Sequence, residues 1–200
     1  QTSQNTISSI FFGGGTPSLM SERTVNEILE TIFCLWNCQS NLEISLEANP
    51  TSVETKKFKA FKSSGINRIS MGIQALNDQD LKRLGRLHTA RDAQNAFNIA
   101  SENFNRVSFD LIYGRQHQTL SDWETELLSA IKMSIGHLSL YQLTIEENTR
   151  FGELLSKGKL KGLPKDDSSV NFYNLTNDIC ESENLPAYEI SNHAKMGEEC

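Results

Sequence analysis

Five strand-like segments, each followed by a helical pattern, restrict this chain of 200 residues more than any other feature. They cover residues 7–12, 42–47, 68–74, 107–112 and 138–145. In 42–47 the alternation is strict, with Leu42, Ile44 and Leu46 on one side and Glu43, Ser45 and Glu47 on the other. Ile69, Met71 and Ile73 oppose Ser70, Gly72 and Gln74, and Val107, Phe109 and Leu111 oppose Ser108 and Asp110 in the same way. The intervening stretches carry helix signals. Ser21 caps a helix through Val25, Ile28, Leu29, Ile32, Phe33 and Trp36. Thr51 and Glu54 have the spacing of a capping box for a helix with Val53, Phe58, Ala60 and Phe61 that stops at Gly65. Asn77 and Asp78 start a short helix that Gly85 ends, with Arg86 just beyond. Thr89 caps the helix of Ala93, Ala96, Phe97 and Ala100. Ser121 and Glu124 have capping-box spacing for the helix of Trp123, Leu127, Leu128 and Ile131, which Gly136 closes. Strands alternating with helices predict βα units and a parallel sheet, either doubly wound or closed into a barrel.

The phase of the polar residues favours the barrel. A sheet covered on both faces is apolar on both. Here Ser45, Ser70, Ser108 and Ser139 share the face opposite the large apolar side chains. Glu47, Gln74, Asp110 and Tyr141 follow farther along that face. A polar lumen with functional groups at the C-terminal strand ends is the arrangement of barrel enzymes.

The first strand, read as a buried one through Ile7, Ile10, Phe11 and Phe12, runs into Gly13-Gly14-Gly15-Thr16-Pro17-Ser18. Three glycines leave backbone with no Cβ to hold a ligand away, and such a turn exposes N–H groups to a carboxylate, amine or phosphate. Pro17 fixes the exit.

A formal charge of -6 argues against non-specific nucleic-acid binding. With 38% hydrophobic residues, no apolar run of membrane-spanning length and no signal-like N-terminus, the expectation is a cytoplasmic protein that is not an integral membrane protein. The start at Gln1 and the stop at Cys200 are read as the ends of a piece of a longer protein. Residues 5–150 are expected to form the barrel core and 151–200 the start of a C-terminal extension, which opens with a loose Gly- and Lys-rich segment to about residue 165 and continues with a helix through Val170, Tyr173 and Ile179. Cys34 and Cys38 match the first two ligands of a C-x3-C-x2-C iron–sulfur site, but the third position is Asn41. Both read as buried thiols on one face of a helix. His88, His117, His137 and His193 have no ligand spacing and read as surface or packing residues.

Seven stretches together carry a resemblance over nearly the whole chain: FFGGGTPSL from Phe11, LEANP from Leu46, NRISMGIQ from Asn67, LKRLGRLH from Leu81, FDLIYG from Phe109, YQLTIEENT from Tyr141 and YEISN from Tyr188. In these the chain resembles the radical S-adenosylmethionine (SAM) family, within it the oxygen-independent coproporphyrinogen III oxidase group, and in that group the haem-chaperone branch. The resemblance implies an α/β fold, a partial (β/α)6 barrel holding SAM across its strand ends. It implies that Gly14, Gly15 and Thr16 meet the methionine end of SAM through backbone groups, that Glu47 accepts from hydroxyls, and that Gln74, Arg86 and Asp110 complete the pocket. A cationic sulfonium with ribose hydroxyls suits such acceptors.

The family's C-x3-C-x2-C loop precedes the glycine turn, so the [4Fe-4S] ligands are expected upstream of Gln1 and no metal ligand within the chain. The family's GLP-x-QT reads Gly114-Arg115-Gln116-His117-Gln118-Thr119. The implied function is haem binding and delivery to haem-acceptor proteins. Two alternatives stay open: oxidative decarboxylation of coproporphyrinogen in porphyrin biosynthesis, and a metal-free phosphate-binding barrel whose glycine turn serves an anion.

Overall fold

The computed structural model describes residues 5–200, apart from the side chains of residues 52, 53, 166 and 167. Its strands are β1 (Thr6–Phe12), β2 (Asn37–Ala48), β3 (Arg68–Gln74), β4 (Arg106–Tyr113), β5 (His137–Gln142) and β6 (Asn192–Ala194). Its helices are α1 (Glu22–Leu35), α2 (Ser52–Thr55), α3 (Phe58–Ser63), α4 (Asp78–Arg83), α5 (Ala90–Asn103), α6 (Leu120–Met133), α7 (Arg150–Ser156) and α8 (Asp166–Ser182), with a 3-10 turn at Pro17–Leu19.

The strands lie in one sheet in the order β1-β2-β3-β4-β5-β6, parallel through β5, with β6 antiparallel. An order that never reverses has no switch point, so right-handed crossovers put the intervening helices on one face, and the sheet curls around the other as half a barrel. Cross-strand register sorts the two faces. Leu46, Ile69 and Val107 stand in one row, and Met71, Phe109 and Leu138 in the next. All are buried in the core with Val25 and Leu29 of α1, Phe58 and Phe61 of α3, Phe97 of α5 and Trp123 of α6. Edge-to-face ring pairs tie α5 to β4 through Phe97 and Phe109 at 5.2 Å, and the end of α5 to α3 through Phe104 and Phe58 at 6.0 Å. On the inner face Glu47, Ser70 and Ser108 form one row, and Asp110 pairs with Ser139. The polar phase expected from the sequence is therefore the lumen side.

Several local expectations are corrected. The first strand forms, but it is not buried: Phe11 is 57% exposed, and Ile7, Ile10 and Phe12 are half-buried. Among the described residues β1 pairs only with β2, so one edge and much of its inner face lack cover. The cap of α6 is Thr119 rather than Ser121. Thr119 accepts from Asp122 N at 3.1 Å and Asp122 bonds back to Thr119 N at 3.0 Å, a full capping box two residues earlier. The fifth strand stops at Gln142 instead of 145, and α7 forms inside the segment expected to be loose, its N-terminus capped by Thr149. The Thr51 cap is present, though the Val53 side chain of that reading lies outside the described residues.

Cys34 and Cys38 do not share a helical face. Trp36 leaves helical geometry at φ -134°, and Cys38 pairs with Ile7 in β2, so strand pairing overrides the apparent helical period. Cys34 is exposed and Cys38 half-buried. The Cys34→Ser/Cys38→Ser variant is therefore expected to lose no more than about 1 kcal/mol of stability and to keep the iron content of the parent protein after anaerobic reconstitution. A thermal melt and an iron and sulfide assay check both.

Candidate functional site

The C-terminal ends of β2, β3, β4 and β5 surround a cavity of about 320 Å³, within the range of small-molecule sites. Glu47, Ser70, Gly72, Asp110, Ser139 and Tyr141 line it from the strands, Gly15, Thr16 and Pro17 from the glycine turn, and Arg86 from the loop after α4.

Chain geometry explains why glycine stands in the turn. Gly14 (φ +80°) and Gly15 (φ +61°) are consecutive left-handed residues, which a side chain would strain. At Gly13 the obstacle is contact, since a Cβ there would sit 2.6 Å from the Phe11 ring and 3.5 Å from Glu47 Cδ. Gly14 N donates to Glu47 Oε2 at 3.0 Å, so the turn and the carboxylate hold each other across two strand ends. Downstream the exit is gripped from below. Ser18 is buried and donates to the Glu54 carboxylate, which also accepts from Asn49 N at 2.7 Å. Lys57 Nζ donates to the carbonyls of Ser18, Leu19 and Met20 at 3.2, 2.9 and 3.1 Å. Sequence reasoning missed Glu54 and Lys57 as site supports, because their local spacing reads only as a capped helix.

Asp110 carries the principal electrostatic perturbation of the pocket. Burial raises its carboxyl to about 6, opposed by its own backbone amide, the Gln74 carboxamide that donates to it and the Arg86 guanidinium, while Glu47 adds to the rise. Burial first, and Asp110 among its other neighbours, pushes the Tyr141 phenol up, with a bond to Ser139 acting the other way. Arg86 follows Gly85, whose φ of +73° turns the chain at the end of α4. His88, two residues on, has its Nε2 3.0 Å from Ile73 O and ties that loop to β3.

Of the residues expected at the site, Gly15, Thr16, Glu47, Arg86 and Asp110 line one cavity. Gly14 and Gln74 stand behind the lining, each bonded to one of its carboxylates. Asn49, Ser70, Gly72, Ser139 and Tyr141 are added by the structure; their shared inward phase was the available signal. The two carboxylates and the commitment of Gly14 N to Glu47 oppose a phosphate here and suit a cationic ligand bearing hydroxyls.

An iron–sulfur cluster finds no ligand set among the described residues. Cys34 is exposed on α1, Cys38 lies in β2, Cys180 is buried with its thiol pushed up to about 12 by burial, and Cys200 is exposed. Among the described residues no three His, Cys, Asp or Glu side chains gather to hold a metal ion. His137 and His193 are buried.

Fold and site together define a partial β/α barrel with a carboxylate-bearing pocket at the C-terminal ends of its strands. The family model described as the Radical SAM superfamily matches residues 2–128, and the chain belongs to that superfamily. Among curated relatives, the heme chaperone HemW of Haemophilus influenzae is 41% identical over 198 residues, 98% of this chain and 50% of the relative. The mitochondrial radical S-adenosyl methionine domain-containing protein 1 of Dictyostelium discoideum is 44% identical, covering 94% of this chain and 45% of its own. The chain spans about half the length of the curated relatives it matches. The fold is that of coproporphyrinogen III oxidase (HemN) from Escherichia coli, a radical SAM enzyme, with a TM-score of 0.81 at 21% identity over 97% of this chain and 44% of that one.

Proposed function

We propose that the pocket binds SAM and that the protein is a haem chaperone of the HemW type, binding haem and passing it to acceptor proteins. The observation that carries this reading is the 41% identity to a HemW maintained along 98% of the chain, in which the glycine turn, Glu47 and Asp110 converge on one cavity. In this reading Glu47 accepts from the ribose hydroxyls, Asp110 offsets the sulfonium charge, and Gly15 and Thr16 present backbone to the methionyl carboxylate. Arg86 and Tyr141 close the sides. SAM and a [4Fe-4S] cluster are the cofactors of the superfamily reading, and haem is the cargo. No described helix is long and apolar enough to cross a membrane.

The test is a haem titration of the protein at its natural length, followed by mixing with an apo acceptor such as a cytochrome subunit. A saturable Soret band that moves to the acceptor is expected. Decarboxylation of coproporphyrinogen III without retained haem would instead place the protein with the oxidases.

A further inference from the structure

The chain leaves β3 through Gln74 at φ +76°, a left-handed conformation that a residue with a Cβ adopts only when its surroundings impose it. Strand register with β4 shifts between Met71 and Gln74, which brings Gln74 opposite Leu111. One buried ion pair holds both peptide planes that flank the next residue, Ala75. Arg115 Nη1 donates to Gln74 O at 3.4 Å, and Leu76 N donates to Glu126 Oε1 at 2.6 Å. Arg115 and Glu126 are joined through both guanidinium nitrogens, and Arg115 Nη2 also meets Asp80 Oδ2 at 3.0 Å. Arg115 is 3% exposed and Glu126 9%.

Buried ion pairs are poor stabilisers, since apolar side chains of similar volume commonly do as well. What this pair does that an apolar pair cannot is take one carbonyl and one N–H of a strained exit. The side chain beyond that exit is the Gln74 carboxamide, bonded to Asp110 in the cavity.

We propose that Arg115 and Glu126 form a positioning pair for the SAM pocket, holding the Gln74 backbone in its left-handed turn so that its carboxamide is aimed at Asp110. The assignment of the ligand rests on the SAM reading above; the positioning itself does not. Around Asp110 the remaining charged and titratable groups are Glu47 from β2, Arg86 from the loop after α4 and Tyr141 from β5. None of them is among the hydrogen-bond or ion-pair partners of Arg115 and Glu126, so loss of the Gln74 bond is the change the pair transmits.

The test is Arg115→Met/Glu126→Met in the protein at its natural length, which removes both backbone contacts and leaves no unpaired charge, since Asp80 keeps Arg83 at 3.0 Å. Two readouts are taken. Carbon-13 NMR of the aspartate carboxyls without ligand is expected to place the Asp110 midpoint near 6 in the wild type and higher in the variant, because the bond that favours the carboxylate is gone. Calorimetry with SAM is expected to show a dissociation constant raised about tenfold, and Gln74→Ala added to the variant is expected to weaken binding no further. Phe97→Leu, which loosens the core behind β4, should lower the melting temperature and leave the Asp110 midpoint in place. Should the double variant not fold, Arg115→Lys, which keeps a cation for Glu126 and Asp80 but lacks the fork that reaches Gln74 O, should show the same upward shift. An unmoved Asp110 midpoint in the folded variants overturns the proposal. A moved midpoint in a protein that ignores SAM leaves the positioning intact and removes the SAM reading alone.

Discussion

Trp123→Ala is expected to destabilise the protein by about 3 to 5 kcal/mol, the range for deleting a fully buried aromatic side chain. Trp123 is 0% exposed and lies where α6, α8 and β4 meet. Its ring packs against Tyr113 with centroids 5.2 Å apart, and Tyr113 in turn stacks on Phe172 of α8 at 6.2 Å. Its indole N–H donates to Thr176 Oγ1 at 2.8 Å, and that hydroxyl donates to Phe172 O at 2.7 Å. Truncation therefore opens a cavity under three elements and strips a buried hydroxyl of its donor, two costs of different origin. Trp123→Phe keeps most of the ring contact and loses the bond, so a smaller loss of about 1 to 2 kcal/mol is expected. Urea unfolding of both variants checks the pair. A loss below 1 kcal/mol for the alanine variant would mean that α8 is not anchored through this residue.

Acid is expected to destabilise the fold well before the general run of carboxylates titrates. His137 and His193 are 4% and 2% exposed. Burial lowers His137 to about 3, helped by the positive charges of Arg68 and Arg106, and burial lowers His193 to about 4. His137 takes its contact from Tyr188, whose hydroxyl lies 2.7 Å from Nε2. A histidine kept neutral in the fold and free to ionise in the unfolded chain contributes stability above its unfolded pKa, and that contribution is lost as pH falls toward the folded value. Between pH 7 and pH 5 each ring costs about 2 kcal/mol by this linkage. Asp110 acts in the opposite sense. Its folded pKa is raised to about 6, so protonation returns about 1 kcal/mol over the same interval. The net loss is about 2 to 3 kcal/mol. Urea midpoints at the two pH values measure it, and His193→Leu should remove about 2 kcal/mol of the loss, leaving about 1 kcal/mol or less. Stability unchanged down to pH 5 would show that these rings are solvated or already charged.

The barrel was legible in the sequence because its two faces obey opposite rules. Leu46, Ile69, Met71 and Phe109 had to be apolar to meet helices, while Glu47, Ser70 and Asp110 alternated with them and were freed for the lumen. The glycine turn was legible for a related reason, since positive φ at Gly14 and Gly15 leaves few alternatives to glycine. Less could be read where long-range contacts decide. The cap of α6 fell to Thr119 because both Thr119-Asp122 and Ser121-Glu124 have the required spacing, and local pattern cannot rank them. Cys38 left the helix because Ile7, thirty-one positions earlier, offers it a strand partner. Arg115 looked only like a departure from a loop motif, and its partners Asp80 and Glu126 are brought to it by the packing of two different helices, which no periodicity encodes. The grip of Lys57 on three successive carbonyls is invisible for the same reason.

The central claim, that the carboxylates of the lumen bind SAM, is tested most directly by calorimetric titration of SAM into the wild-type protein and Glu47→Gln. The substitution keeps an oxygen for Gly14 N and removes only the charge, so the turn should hold its shape. Loss of one charged acceptor is expected to weaken SAM binding by about 1.5 to 3 kcal/mol, roughly a factor of ten to a hundred, with the melting temperature of the free protein little changed. An unchanged SAM affinity together with a lowered melting temperature would contradict the account and make Glu47 a structural brace of the glycine turn.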